Sequence, residues 1–137
     1  MITDNLSAVS LARLQEADNW QSKYRLIMEW GQLISPKPEL REPANAIRGC
    51  EAAAWMTHVC IDGHHRFAFD SDSRVIKGLA ALLLAHIDNK TDAELARLNL
   101  NGLLEAAGLE KHMTPSRNNG FRAMVLRAGE LLELPVE

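Results

Sequence analysis

The chain has few cysteines and no excess of positive charge. Only 2 of its 137 residues are cysteine. The chain has 15 Lys and Arg residues and 18 Asp and Glu residues, which gives a formal net charge of −3. Nucleic-acid binding uses a concentrated basic surface, so we expect no nucleic-acid partner. Small secreted scaffolds normally carry more cysteines than this, so we expect two free thiols rather than a disulfide framework.

Long apolar runs are also missing. The longest, residues 79–87, is far shorter than the roughly 20 residues that span a bilayer. The first residues lack the basic and then apolar pattern of a signal peptide. We therefore expect a cytoplasmic protein with no membrane partner. Hydrophobic residues make up 47% of the chain, which is typical of a globular protein, and the length predicts a single domain over residues 1–137.

Familiar cofactor and catalytic motifs do not occur. The sequence contains no paired Cys-x-x-Cys, no His-Glu-x-x-His, no Walker loop, no dinucleotide-binding glycine motif and no Gly-x-Ser-x-Gly elbow. No cofactor site can be read from it, and we expect the chain to bind no cofactor.

The first third of the chain predicts two helices. Thr3 or Asp4 is the expected cap of the first helix, and Asn19 is the expected cap of the second. The second helix must end by Ser35, because Pro36 follows. A loop with at most a short helical turn is expected from there to residue 49.

The middle of the chain predicts a β-hairpin. Asp62-Gly63 is a two-residue turn signal between strands at residues 53–61 and 64–69, and residues 45–48 are expected to add a third strand. A type I′ turn sets the cross-strand pairs Ile61 with His64, Cys60 with His65, His58 with Phe67, and Met56 with Phe69.

The remaining residues predict helices. A buried central helix follows the polar residues 70–73, Thr91 and Glu94 have capping-box spacing, and Thr114-Pro115 is typical of a helix start. Together these patterns predict an α+β fold, with a small antiparallel sheet of about three strands packed against several helices.

Cys50 is the main candidate for chemistry. It ends the segment Asn45-Ala46-Ile47-Arg48-Gly49-Cys50, at a junction of loop and strand where a thiol can be exposed. Arg48 adds positive charge that favours the reactive thiolate. Cys60 lies inside an apolar run, which is typical of a structural cysteine. A small buried thiol is the simplest alternative for Cys50.

Two other interpretations stay open from the residues alone. Cys50 could act as a nucleophile with a histidine base, chosen from His58, His64, His65, His86 and His112. The predicted hairpin places His58, Cys60 and His65 on one face, where they could hold zinc, although no fourth ligand is evident and the same face carries apolar residues.

Several segments together resemble a known family. The matching segments are residues 19–24, Ile47-Arg48-Gly49-Cys50 with Trp55 following, residues 70–72 with 77–79, and residues 109–120. They lie in the order found in the SufE family of sulfur acceptors, which the chain therefore resembles and which includes the CsdE branch. These segments extend over nearly the whole chain. The chain departs from the family pattern at residues 51–54 and at Phe69, where a glycine is common.

The resemblance implies a task and a partner. Family members take sulfane sulfur from the persulfide of a pyridoxal-phosphate cysteine desulfurase (SufS or CsdA type) and pass it on, typically toward an iron–sulfur scaffold. It implies that Cys50 is the acceptor, that this chain holds neither the pyridoxal phosphate nor a metal, and that it is an accessory protein rather than an enzyme. It also implies a fold like that of IscU-type scaffolds. Candidates for contact with the desulfurase are Arg117, Asp72, Arg48 and Glu51.

Overall fold

Several helices and a two-stranded sheet make up the computed structural model, which describes residues 4–132. The regular elements, in chain order, are α1 (Leu11–Glu16), α2 (Trp20–Gly31), β1 (Ala54–Ile61), β2 (His64–Ser71), α3 (Arg74–Ile87), α4 (Asp92–Leu95), α5 (Leu103–Ala106) and α6 (Pro115–Leu132). Short 3₁₀ turns cover Pro38–Leu40, Pro43–Asn45, Leu100–Gly102 and Glu110–His112. The predicted α+β class is confirmed.

The cap of α2 is as predicted, whereas the cap of α1 is not. Asn19 accepts a hydrogen bond from the Ser22 backbone through its side chain, which fixes the start of α2. Helix α1 begins only after Ser10, which caps it in the same way. Thr3, the first expected cap, lies outside the described residues.

Asp4, the other expected cap, has a tertiary role instead. Its carboxylate accepts hydrogen bonds from the Ser35 backbone and hydroxyl and from the Lys37 ammonium. Lys37 is 2% exposed and also donates to the Phe69 carbonyl at 3.1 Å. The segment before α1 is therefore tied to the loop after α2 and to β2.

The predicted hairpin and its register are confirmed. All four expected pairs occur, including Cys60 with His65 and His58 with Phe67. Asp62 and Gly63 both have positive φ, 51° and 79°, as a type I′ turn requires.

The predicted third strand is wrong. Residues 45–48 contribute one isolated bridge, Ala46 with Trp55, and the 3₁₀ turn Pro43–Asn45 takes up the start of the segment. Pro43 supplies no backbone donor, and the chain leaves β1 again at Gly49, so no ladder extends. Within residues 4–132 the sheet has two strands.

Helix α3 is the buried centre of the fold. Most of its residues are inaccessible, and it packs against α2, β2 and α6. Ser73 caps it by accepting a hydrogen bond from the Ile76 backbone. The Thr91–Glu94 capping box opens α4 as predicted, and Thr114 precedes α6. No helix within the described residues is long and apolar enough to cross a membrane.

Candidate functional site

Cys50 lies on a short loop whose two ends meet. The Ile47 backbone N–H donates to the Ala54 carbonyl at 2.9 Å, beside the Ala46–Trp55 bridge. Residues 48–53 therefore form a loop that begins and ends at nearly the same point, and Cys50 lies between its two fixed ends.

The Cys50 thiol occupies a notch formed by two helices. Cys50 is half-buried, and a Cβ placed on Gly120 of α6 would lie 3.2 Å from its Sγ. The same Cβ would lie 3.2 Å from Ile76 Cδ1 of α3. The sequence shows a glycine inside a helix, where it costs about 1 kcal/mol relative to alanine. The structure explains it, because only a residue without Cβ leaves this room for the thiol.

Gly49 gives the loop its bend. Its φ is +86°, a conformation that side chains with a Cβ rarely adopt, and it packs above Ala123 of α6. This turn directs the following residue, Cys50, back toward the helix.

One side chain of the loop bonds directly to α6. The Ser116 hydroxyl donates to Glu51 Oε2 at 2.7 Å, in a solvent-exposed contact. Ser116 lies in the first turn of α6, where backbone N–H groups also favour a carboxylate. Glu51, expected as a partner contact, is therefore already engaged within the chain.

The surroundings of Cys50 disfavour its thiolate. Burial is the main cause that raises the pKa of Cys50, and the Glu51 charge raises it further, while a hydrogen bond from the Ala52 backbone acts in the opposite direction. The expectation that Arg48 lowers this pKa is wrong for this conformation, because Arg48 is exposed and the net shift is upward. The thiol is sheltered and mostly neutral here.

Arg117 and Asp72 have other neighbours. The Arg117 guanidinium carbon lies 5.9 Å from the centre of the Tyr24 ring, on the α2 side of α6. Asp72 is exposed and accepts a hydrogen bond from Arg41 at 2.8 Å, which lowers the pKa of its carboxyl. Arg41 also binds Asp70. Asp72 does not cap α3, since Ser73 does.

Cys60 is exposed, which contradicts its expected structural role inside the hairpin. Greater exposure therefore does not single out Cys50 as the candidate for chemistry. The surroundings of Cys50 do, because Cys50 faces a helical notch and Cys60 lies at the outer end of β1.

The hairpin residues do not converge as a zinc site. His58 Nε2 and His65 Nδ1 lie 2.7 Å apart, within hydrogen-bonding distance, and His65 Nε2 lies 2.6 Å from Asp92 Oδ1. In the part of the chain that the structure describes, no three His, Cys, Asp or Glu side chains are arranged to hold a metal ion.

The histidines also have partners away from Cys50. His64 Nδ1 faces the Asp62 carbonyl, His86 Nδ1 faces the Leu82 carbonyl, and the His112 ring stacks on Trp20. With His58 and His65 bonded to each other, the structure does not support a pair of Cys50 and a histidine base.

The residues that sequence reasoning misses are held by tertiary contacts around the Cys50 loop and before α3. The sequence presents Ser116 only as part of a polar helix start, and Ile76 only as core. Nothing in it singles out Arg41. The positions of all three depend on how the elements pack, which no local pattern predicts.

The chain is similar to known proteins in sequence and in fold. The family model for SufE, described as an Fe-S metabolism associated domain, matches residues 9–131. An uncharacterized SufE-like protein of Rhizobium etli is 34% identical over 121 residues, covering 82% of this chain and 80% of that protein. The solution structure of a hypothetical protein from Thermus thermophilus superposes with a TM-score of 0.75 at 18% identity, covering 96% of both chains. The last similarity concerns the fold alone.

Proposed function

Since this chain belongs to the SufE family, which is associated with Fe-S metabolism, we propose that it is a sulfur acceptor whose carrier is the Cys50 thiol. The donor is a pyridoxal-phosphate cysteine desulfurase of the SufS or CsdA type, and the cofactor belongs to that partner. The chain has no turnover of its own and stimulates the desulfurase by removing its sulfur. The cytoplasm is the proposed setting, because thiols stay reduced there.

The observation that carries this proposal is the notch under Cys50. A carrier needs a thiol that can be sheltered from oxidation and then presented, and it needs no base or metal of its own. The loop of residues 48–53 has fixed ends, a glycine bend and a thiol seated against Gly120, and these features suit that task.

The transfer is a thiol–disulfide type exchange. The Cys50 thiolate attacks the outer sulfur of the donor persulfide, a new S–S bond forms on Cys50, and the bond between the two donor sulfurs breaks. The donor cysteine leaves as a thiolate, and the Cys50 persulfide carries the sulfur onward. Because burial and Glu51 raise the pKa of Cys50, the attack requires the loop to open when the partner docks.

Four exposed or half-buried side chains are proposed to meet the desulfurase. They are Arg117, Asp72, Arg48 and Glu51. Arg117 and Glu51 flank the first turns of α6, and Asp72 lies before α3, so a partner seated over the notch would reach both helix starts. A downstream acceptor or iron–sulfur scaffold would then take the sulfur.

Mass spectrometry after incubation with free cysteine and a cysteine desulfurase tests the proposal. We expect a gain of about 32 Da for each sulfur, mapped to Cys50 and reversed by reductant. Cys50→Ser should abolish the gain and the stimulation of the desulfurase.

Cys60→Ser is the matched control, because it removes the more exposed thiol and leaves the notch intact. It should accept sulfur as the unmodified chain does. Sulfur mapped to Cys60, or uptake that persists in Cys50→Ser, would show that the assignment is wrong.

A further inference from the structure

The Cys50 loop is held in place from three directions. Its base is closed by the hydrogen bond between Ile47 and Ala54, and its thiol rests against Gly120. The third restraint is the hydrogen bond from Ser116 to Glu51. The first two are backbone contacts and packing, whereas the third is an exposed hydrogen bond between a side chain of the loop and a side chain of α6.

The third restraint is the one that can change without disturbing the fold. Both side chains are reached by solvent, so water competes for the bond. A hydrogen bond of this kind shifts an equilibrium by about fivefold, which is enough to hold a loop mostly closed and too little to lock it. Breaking it leaves α6 and the base of the loop intact.

The same carboxylate also acts on the thiol electrostatically. Glu51 follows Cys50 directly, and its negative charge contributes to the raised pKa of Cys50. Movement of Glu51 away from the thiol would relieve that effect at the moment that the thiol leaves its notch.

We propose that the Glu51–Ser116 hydrogen bond is a latch that keeps the Cys50 thiol in the Gly120 notch, so that Glu51 controls both access to the thiol and its ionisation. The latch is a property of the free chain. Its use in sulfur transfer rests on the proposed function, in which a docking partner that draws Glu51 away both exposes and activates the acceptor.

The test measures how fast iodoacetamide alkylates Cys50 in the free protein as a function of pH. All variants carry Cys60→Ser, so that one thiol reacts. Ser116→Ala removes the hydroxyl donor, and Glu51→Gln keeps an acceptor oxygen while removing the charge. Asn119→Ala is the control, because it changes an exposed side chain on the same helix.

We expect Ser116→Ala to react about five times faster than the Asn119→Ala control at a given pH. Glu51→Gln should shift the midpoint of the alkylation profile to lower pH. Equal rates for Ser116→Ala and Asn119→Ala would overturn the latch, and an unshifted midpoint in Glu51→Gln would overturn the role of the charge. No desulfurase is present, so these results do not depend on whether Cys50 accepts sulfur.

Discussion

The Asp4 carboxylate and the Lys37 ammonium form an ion pair that is almost wholly removed from water. Their side chains are 9% and 3% exposed, and Lys37 has two further acceptors in the Ser35 and Phe69 carbonyls. An ion pair in such a position contributes little net stability compared with apolar packing, but loss of one partner leaves an uncompensated buried charge.

Asp4→Ala should therefore lower the free energy of unfolding by about 3 kcal/mol. Urea denaturation measures this, with Asp18→Ala, at an exposed position between α1 and α2, as the control. If Asp4→Ala and the control unfold at the same urea concentration, the segment before α1 is not held as the structure shows.

Individual residues also show which features can be predicted from the sequence and which cannot. Asn19, Thr91 and Asp62 can be assigned correctly because a cap or a turn depends on neighbours within a few positions. Asp4 cannot, because its partners are more than thirty positions away. Cys50 stands out in the sequence as the acceptor candidate, but its burial depends on Gly120 and could not be predicted.

At the scale of elements, the packing of α6 against the Cys50 loop and α3 depends on the absence of a side chain at Gly120. The atoms that an added Cβ would meet are the ends of the Cys50 and Ile76 side chains, both 3.2 Å away. Cys50 belongs to a loop that can move outward, and Ile76 can adjust its terminal methyl, so a small residue can be accommodated.

Gly120→Ala should displace the thiol while keeping the fold. Alanine gains about 1 kcal/mol of helix propensity over glycine, which offsets the crowding, so we expect thermal stability close to that of the unmodified chain. Alkylation of Cys50 should become faster. A strongly destabilised protein, or a thiol with unchanged reactivity, would contradict the packing of the Cys50 thiol against Gly120.

The helices and the hairpin could largely be predicted from the sequence, but the number of strands in the sheet could not. The hairpin register followed from the turn residues and the alternation of side chains. The predicted third strand is wrong because extension of the Ala46 bridge into a ladder depends on how the turn Pro43–Asn45 approaches β1, which local sequence does not determine.

At the scale of the whole molecule, the hairpin and α4 are joined by three polar side chains in a row. His58 meets His65, and His65 meets Asp92. Burial is the first cause that lowers the pKa of His58, and the neighbouring His65 lowers it further.

Stability should therefore depend on pH in the range where free histidine titrates. The unfolded chain binds a proton at His58 near pH 6.5, while the folded chain does so only at lower pH, so stability falls as the pH decreases below about 6.5. Thermal unfolding between pH 5 and 8 measures this. His58→Gln should weaken the dependence, whereas the control His64→Gln should not. An equal effect of both variants would contradict the prediction.

The closed base of the Cys50 loop limits how far the Cys50 thiol can move. Cys50 is the third residue beyond Ile47, and a fully extended chain gains at most about 3.5 Å per residue, so its Cα can move no more than about 10 Å from that anchor. In the proposed transfer, the sulfur is therefore not delivered on a long swinging arm. A donor and a recipient would each have to bring their reactive atoms close to this part of the protein, and they would compete for the same thiol.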